Sequence, residues 1–256
     1  MTPALERGLK VLELLAEEEA ELNLKSISQK LQIPAPSLWR IMTTLKSRGY
    51  VIYDPVTKMY RLGFKFLYLG NILLNKMGFR SHARGHLKEL VALTGETAEL
   101  SARVKDQLIL IDQVEGPEAV RLFSRIGSAY PYFHATAPGK IYLAHMDEEK
   151  LSRVIEQIGL PKITPYTITD PRVLKKQLLR IRQKGYASDS QEMRIGVSRI
   201  ASAVYNRYGK IEACLGIAGP SFRITARRLD QLGQQVMKIA KKLSKELSQL
   251  PSEEGT

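Results

Sequence analysis

Cysteine is all but missing from this chain: Cys214 is the single thiol among 256 residues. One cysteine excludes an intramolecular disulfide and any cysteine-rich zinc site, so the fold must rest on its cores. Long apolar runs are missing too. No stretch approaches the ~18 residues of a membrane span, and the N-terminus lacks a signal-peptide pattern, so a cytoplasmic protein with no membrane partner is expected. Acids are in short supply, with 26 Asp and Glu against 39 Lys and Arg. The resulting charge of +13 favours polyanionic partners or anionic ligands without separating the two. Apolar residues are plentiful at 44%, in a chain long enough for one large or two moderate domains.

The shortage of acid is greatest from Lys25 to Leu62, where Lys25, Lys30, Arg40, Lys46, Arg48, Lys58 and Arg61 face only Asp54. Phosphate binding requires such an imbalance. Leu24 to Leu62 reads as two short helices, a tight turn and a β-hairpin, the pattern of a winged helix-turn-helix. Pro34 and Pro36 stop the first helix from running on, and Pro36 suits the first position of the second helix, where no N–H is needed. Leu38, Ile41 and Leu45, with Met42, form its inner face. The outer face holds Pro36, Ser37, Trp39, Arg40, Thr43, Thr44 and Lys46, chemistry suited to base edges and phosphates of double-stranded DNA. Trp39 fits partial burial as well as base stacking. After Gly49 the period becomes alternating, and Lys58 in the turn 54–59 is placed to touch a phosphate.

Around this motif the chain reads as α+β. Leu5, Leu9, Leu12 and Leu15, widened by Val11, give a first helix at Pro3–Glu19, closed by the acids Glu17, Glu18, Glu19 and Glu21, an end expected to face away from DNA. Residues 64–77 (FKFLYLGNILLNKM) make a helix apolar on more than one side, which suits pairing with another chain, or a core helix of one continuous domain. Beyond it the patterns predict a helix at 79–93, a hairpin of strands 98–104 and 107–114 turning at Lys105-Asp106, and a strand at 120–125. A loop at 130–139 leads to helices at 140–145 and 147–158, then a helix from Asp170 or Pro171 to Lys184. Strands at 196–205 and 210–218 precede a long helix started by Thr225, and the tail 251–256 reads as disordered.

The segments ALERGLKVLELLAEE, IPAPSLWRIMTTLKSRGYVIYDPVTKMYRLG, FHATAPGK, ITDPRVLKKQLLRIRQKGYASDSQE, GVSRIASAV and IAGPSFRIT together resemble, over nearly the whole chain, the IclR-type bacterial transcriptional regulators. The resemblance implies a winged helix-turn-helix DNA-binding domain at 1–63, a linker and dimerisation helix at 64–77, and a GAF-like antiparallel-sheet effector-binding domain at 78–250. It implies a ligand-responsive regulator, repressor or activator, that binds operator DNA as a homodimer or homotetramer and senses a small metabolite, with no cofactor. It places the effector among Phe123, Ala137, Gly139, Lys140, Asp189, Arg199, Gly216 and Ala218. Departures from the family pattern are Gln32, where Gly is usual in the turn, Arg199 at a position often held by cysteine, and Gly216 and Ala218, where the two serines are gone.

Strand parity puts Val197, Arg199, Ala201 and Ala203 on one face, and Cys214, Gly216 and Ala218 on one face of the next strand. A small-residue surface with one guanidinium fits an enclosed site for a carboxylate, or Arg199 reaches out to water. Asp189 is the acid expected to answer Arg199 in the free protein. The lost serines are expected to add room, and the backbone amides of Gly139 and Lys140 to hold a second polar end of the ligand. Gly139-Lys140 fails as a P-loop, because the earlier Gly and the following hydroxyl are missing. His82 and His86, at i and i+4, have no visible third metal ligand, and no metal site is expected. The alternative to a regulator is an enzyme acting on a small organic acid, its winged domain used for protein contacts and Asp189 the carboxylate to test. No nucleophile, base and orienting acid assemble to support it.

Overall fold

The computed structural model describes residues 2–104, 107–130 and 132–249. The chain divides into the units Met1–Lys76 and Met77–Thr256. The predicted turn Lys105-Asp106 and the tail 251–256 lie outside the described residues.

In the first unit, α1 (Pro3–Glu17) is followed by β1 (Leu22–Asn23), α2 (Leu24–Leu31) and α3 (Ala35–Ser47). The hairpin β2 (Val51–Asp54) and β3 (Met59–Leu62) comes next, then α4 (Lys65–Lys76). The core is Val11, Leu15, Leu22, Ile27, Ile33, Leu38, Met42 and Val51. Here the expected stripe of α1 is corrected. Gly8, Val11 and Leu15 face inward, while Leu5 and Leu9 are 64% and 50% exposed. Residues 8, 11 and 15 form a helical stripe of their own beside the leucine stripe, and packing against α3 selects between them. Asn23 caps α2, its Oδ1 accepting the Ser26 N–H at 2.9 Å. Gln32 ends α2 with φ 53° and ψ 39°, so the left-handed turn survives without glycine. α3 starts at Ala35, and Pro36 still lies in the first turn, where N–H groups have no helical partner. The wing pairs Val51 with Leu62 and Asp54 with Met59, and Leu22 adds a third strand by pairing with Tyr60. α4 has no buried residue.

The second unit opens with α5 (Gly78–Thr94), β4 (Thr97–Val104), β5 (Gln107–Val114) and the short β6 (Ala129–Tyr130). A 3-10 turn at Phe133–Ala135 leads into α6 (Ala137–Ala144), α7 (Glu148–Ile158) and α8 (Pro171–Lys184). Then come β7 (Ala187–Ser190), β8 (Val197–Tyr205), β9 (Ile211–Pro220) and α9 (Leu229–Gln249). The strands form one antiparallel sheet in the order β6-β5-β4-β9-β8-β7. α5 and α9 pack together on one side, with α9 against β8, and α6 packs with α8 against β7 and β8. Ala201, Ala203 and Cys214 join α6, α7 and α8 in one core. Small side chains on that face let α6 lie close to the sheet.

Three expectations change here, and the first is that the last helix starts at Leu229 rather than Thr225, since residues 226–228 form a turn closed by the Arg228 N–H on the Thr225 carbonyl at 3.0 Å. No strand forms at 120–125. That segment is irregular and held by side chains: Thr97 Oγ1 donates to the Leu122 carbonyl (2.8 Å), Ser124 N–H to Gln113 Oε1 (2.9 Å) and Arg223 Nη1 to the Val120 carbonyl (2.7 Å). Its apolar residues do not share a buried face, since Leu122 is buried while Val120 and Phe123 are exposed, and that is why it forms no strand. α6 also begins three residues before Lys140, because Thr136 Oγ1 accepts the Gly139 N–H at 3.2 Å and caps it.

Candidate functional site

The outer face of α3 lies opposite the buried Leu38 and Met42. Pro36, Trp39, Arg40, Thr43, Thr44 and Lys46 are exposed and Ser37 is half-buried, with Trp39 58% exposed. Thr43 Oγ1 donates to the Trp39 carbonyl (2.8 Å) and Thr44 Oγ1 to that of Arg40 (3.1 Å), so both hydroxyls present acceptor lone pairs outward. Lys46 Nζ sits 5.4 Å from the centre of the Tyr53 ring. Lys58 is exposed at the wing tip with φ 58°. Asp54 sets that turn, its Oδ1 accepting the N–H of Val56 (2.8 Å) and of Thr57 (3.4 Å). The Val56 bond, foremost, holds the Asp54 carboxyl below the usual carboxylate range.

The acids after α1 do not simply turn away from this surface. Glu18 pairs with Lys30 at 2.6 Å and Glu21 with Arg61 at 3.3 Å. Among the described residues Lys25, Arg40, Lys46, Arg48 and Lys58 have no ion-pair partner, so the positive charge is concentrated on the recognition helix and the wing.

In the second unit, five charged groups gather between α6 and the sheet. Lys140 is fully buried, and its Nζ bonds Glu192 Oε1 at 2.5 Å and the Ser188 carbonyl at 3.2 Å. Asp189 faces Arg199 in the β7–β8 register, and its Oδ2 accepts the Ala137 N–H at 2.9 Å. The Arg199 Nε lies 3.6 Å from Glu99 Oε2, and its guanidinium sits 5.6 Å from the centre of the Tyr130 ring. Burial pushes the Asp189 carboxyl up to about 6, against the opposing pull of Arg199, Lys140 and the Ala137 N–H. Burial alone would lower Arg199, but Glu99, Asp189 and Tyr130 outweigh it and raise it.

Three polar atoms of this cluster lack a hydrogen-bond partner: Asp189 Oδ1, Glu192 Oε2 and Arg199 Nη1. Unpaired buried groups are costly, so a cluster of them invites a ligand carrying both acceptors and donors.

Of the residues proposed from sequence, Ala137, Lys140, Asp189, Arg199 and Gly216 meet here, and three details are corrected. Glu99, rather than Asp189, is the acid in ion-pair contact with Arg199. The Gly139 and Lys140 amides are already taken, by Thr136 Oγ1 and the Thr136 carbonyl, and it is the Lys140 ammonium that enters the cluster. Gly139 serves close packing, since a Cβ there would stand 2.3 Å from the Phe133 carbonyl oxygen. Gly216 adds no room either, because a Cβ would stand 2.2 Å from the Ile200 carbonyl oxygen. Ala218 is buried with Leu122 and Val197 beside the cluster, and Phe123 is 60% exposed and outside it.

Sequence reading missed Glu99, Ser124, Tyr130 and Glu192. Glu99 lies opposite Gly216 in the β4–β9 register, so parity would have found it once that pairing was known. His82 and His86 share one carboxylate, Glu246, at 2.6 and 2.7 Å. Among the described residues no group of side chains could hold a metal ion, and no helix is long and apolar enough to cross a membrane.

Residues 4–55 match the IclR helix-turn-helix domain, and residues 72–245 match the C-terminal domain of the bacterial transcriptional regulator IclR. The HTH-type transcriptional repressor AllR of Escherichia coli (strain K12) is 32% identical over 241 residues, covering 94% of this chain and 89% of that protein. AllR of Salmonella typhi is 32% identical over 248 residues, covering 97% and 91%. Among crystal structures, the IclR transcriptional regulator from Alicyclobacillus acidocaldarius superposes with a TM-score of 0.82 at 29% identity, covering 96% of this chain and 98% of that one. An IclR homologue from Microbacterium hydrocarbonoxydans complexed with 4-hydroxybenzoate has the same fold, with a TM-score of 0.76 at 22% identity and coverage of 95% and 98%. These relatives are regulators, which displaces the enzyme alternative, and the chain belongs to the IclR family of DNA-binding bacterial transcriptional regulators.

Proposed function

We propose that the protein acts in the cytoplasm as a homo-oligomeric repressor, and that a small carboxylate bearing at least one hydrogen-bond donor modulates its occupancy of a pseudo-palindromic operator. The observation that carries this reading is Arg199, a buried guanidinium with Nη1 unpaired, surrounded by acceptors that also lack partners. The ligand's carboxylate pairs with Arg199 and its donor serves Asp189 or Glu192. The proposed effector residues are Ala137, Lys140, Asp189 and Arg199, with Glu99 added. Phe123, Gly139, Gly216 and Ala218 surround or support them. The proposed DNA contacts are Pro36, Ser37, Trp39, Arg40, Thr43, Thr44 and Lys46 in the major groove and Lys58 on the backbone.

Assembly is proposed through α4, whose Leu67, Tyr68 and Leu73 are more than half exposed in the single chain. A C2 pair of winged units demands two half-sites, hence the pseudo-palindrome. Calorimetric titration of the purified protein with small hydroxy acids and their neutral amides, starting with 4-hydroxybenzoate, tests the effector. Binding of acids alone, lost in Arg199→Ala while that variant keeps its operator affinity, is the expected result. A cognate ligand that is neutral, or undiminished acid binding by Arg199→Ala, overturns the reading.

A further inference from the structure

The space at the heart of the cluster, lined by Glu99, Ser101, Pro138, Arg199, Cys214 and Gly216 among others, is a cavity of only about 10 Å³. That is room for one water at most. A ligand therefore enters only when a side chain leaves, and the cluster's bonds decide which one.

Lys140 is tied by a short ion pair to Glu192 and a bond to the Ser188 carbonyl, and Asp189 by a backbone amide. Arg199 is 6% exposed and packs on Tyr130. Glu99 is the acid already facing Arg199, and it is loosely held there: its Oε2 stands 3.6 Å from Arg199 Nε, beyond good hydrogen-bond distance, and Oε1 accepts one bond, from Ser124 Oγ at 2.9 Å. Ser124 belongs to the irregular segment after β5, which no ladder secures.

We propose that Glu99 is a built-in competitor of the effector: it occupies Arg199 in the free protein, and the effector's carboxylate takes its place. This rests on the reading that the Arg199 cluster is the effector site, and it deepens that reading by naming the residue that sets the threshold for response. Two negative groups then contend for one guanidinium, and the winner is the one that pairs at charge-assisted distance. Because Glu99 and its register partner Gln113 both hold Ser124, departure of Glu99 removes one of the bonds that secure the loop over the sheet.

The test uses the full-length protein and acetate as the simplest carboxylate, with acetamide as neutral control, at constant ionic strength. Binding is followed by the shift of the unfolding midpoint and by the Arg199 Nε–H resonance. Glu99→Gln keeps the shape and removes the charge, and is expected to bind acetate roughly tenfold more tightly than the wild type, with acetamide unchanged. Glu99→Met, uncharged and of the same length, should act in the same direction and replaces Gln if that variant does not fold. Acetate affinity equal to or below that of the wild type in whichever variant folds overturns the competitor role. The double variant Glu99→Gln, Arg199→Ala separates the two claims. Loss of acetate binding there keeps Arg199 as anchor whatever Glu99 does, whereas retained binding removes Arg199 and with it the reading of the site.

Discussion

Replacing Asp189 by Asn changes how stability depends on pH, and the size of the change follows from the cluster. In the unfolded chain this carboxyl titrates near 3.8, and in the folded protein burial brings it to about 6. A raised folded value means that protonated Asp189 is the form the fold favours. The corresponding stability is fully present below pH 3.8 and is lost as pH rises through about 6. Two units at 1.36 kcal/mol each make the loss about 3 kcal/mol. The groups facing the carboxyl are Lys140 and Arg199, which favour the ion, Glu192, which opposes it, and the Ala137 N–H, which Asn can still engage through its amide oxygen. Asn does not titrate, so Asp189→Asn should match the wild type near pH 4 and exceed it by up to about 3 kcal/mol above pH 7. Urea unfolding of both proteins at fixed concentration, at several pH values across this range, gives the difference directly, because every other titrating group cancels. A difference that stays constant with pH would refute the argument, and so would one that grows toward low pH.

On the DNA side, Arg40→Ala should weaken specific operator binding by about 1–3 kcal/mol if the guanidinium reads a guanine, whereas Lys58→Ala should weaken all sequences alike and lower the salt slope by roughly one. Fluorescence anisotropy over a salt series distinguishes them, and unchanged operator affinity in Arg40→Ala removes α3 from the interface. Leu67→Asp places a charge on a helix side chain that is 71% exposed in the single chain, and should lower the sedimenting mass toward that of a monomer while far-ultraviolet circular dichroism is kept. An unchanged mass excludes α4 as the contact. Gln32→Gly should raise the stability of the winged unit by about 1 kcal/mol, since glycine adopts φ 53° without the strain glutamine bears, and a lowered unfolding midpoint would contradict this.

The winged unit was legible in the sequence because its signals are local. Prolines mark the start of α3, the apolar period holds through Leu38 and Met42, and the switch to alternation after Gly49 marks the hairpin. The leucine stripe of α1 was read as its inner face, whereas the neighbouring stripe of Gly8, Val11 and Leu15 is buried, because the choice is made by α3 packing against α1 rather than by periodicity. Arg199 stood out as an unusual residue on a small-residue face, and that inference needed only parity along β8. Its partner did not stand out. Glu99 reaches Arg199 across β9, through a β4–β9 pairing between residues more than a hundred positions apart, which no local pattern encodes. The strand expected at 120–125 failed for the opposite reason, since its local apolarity was real but only Leu122 found a buried place.

The central pairing of β4 with β9 also orders events during synthesis. Thr97 through Ser101 cannot find Ala218 through Cys214 until that distant strand has left the ribosome. At roughly 5–20 residues per second the wait is on the order of ten seconds. The winged unit has no such delay, for its strands pair within one short span of chain. A nascent chain thus completes the pairings of the winged unit before those of the second unit. On the proposed function, chains interrupted between the two would occupy the operator while deaf to the effector, so even a small pool of truncated product would set a floor under repression that effector cannot lift.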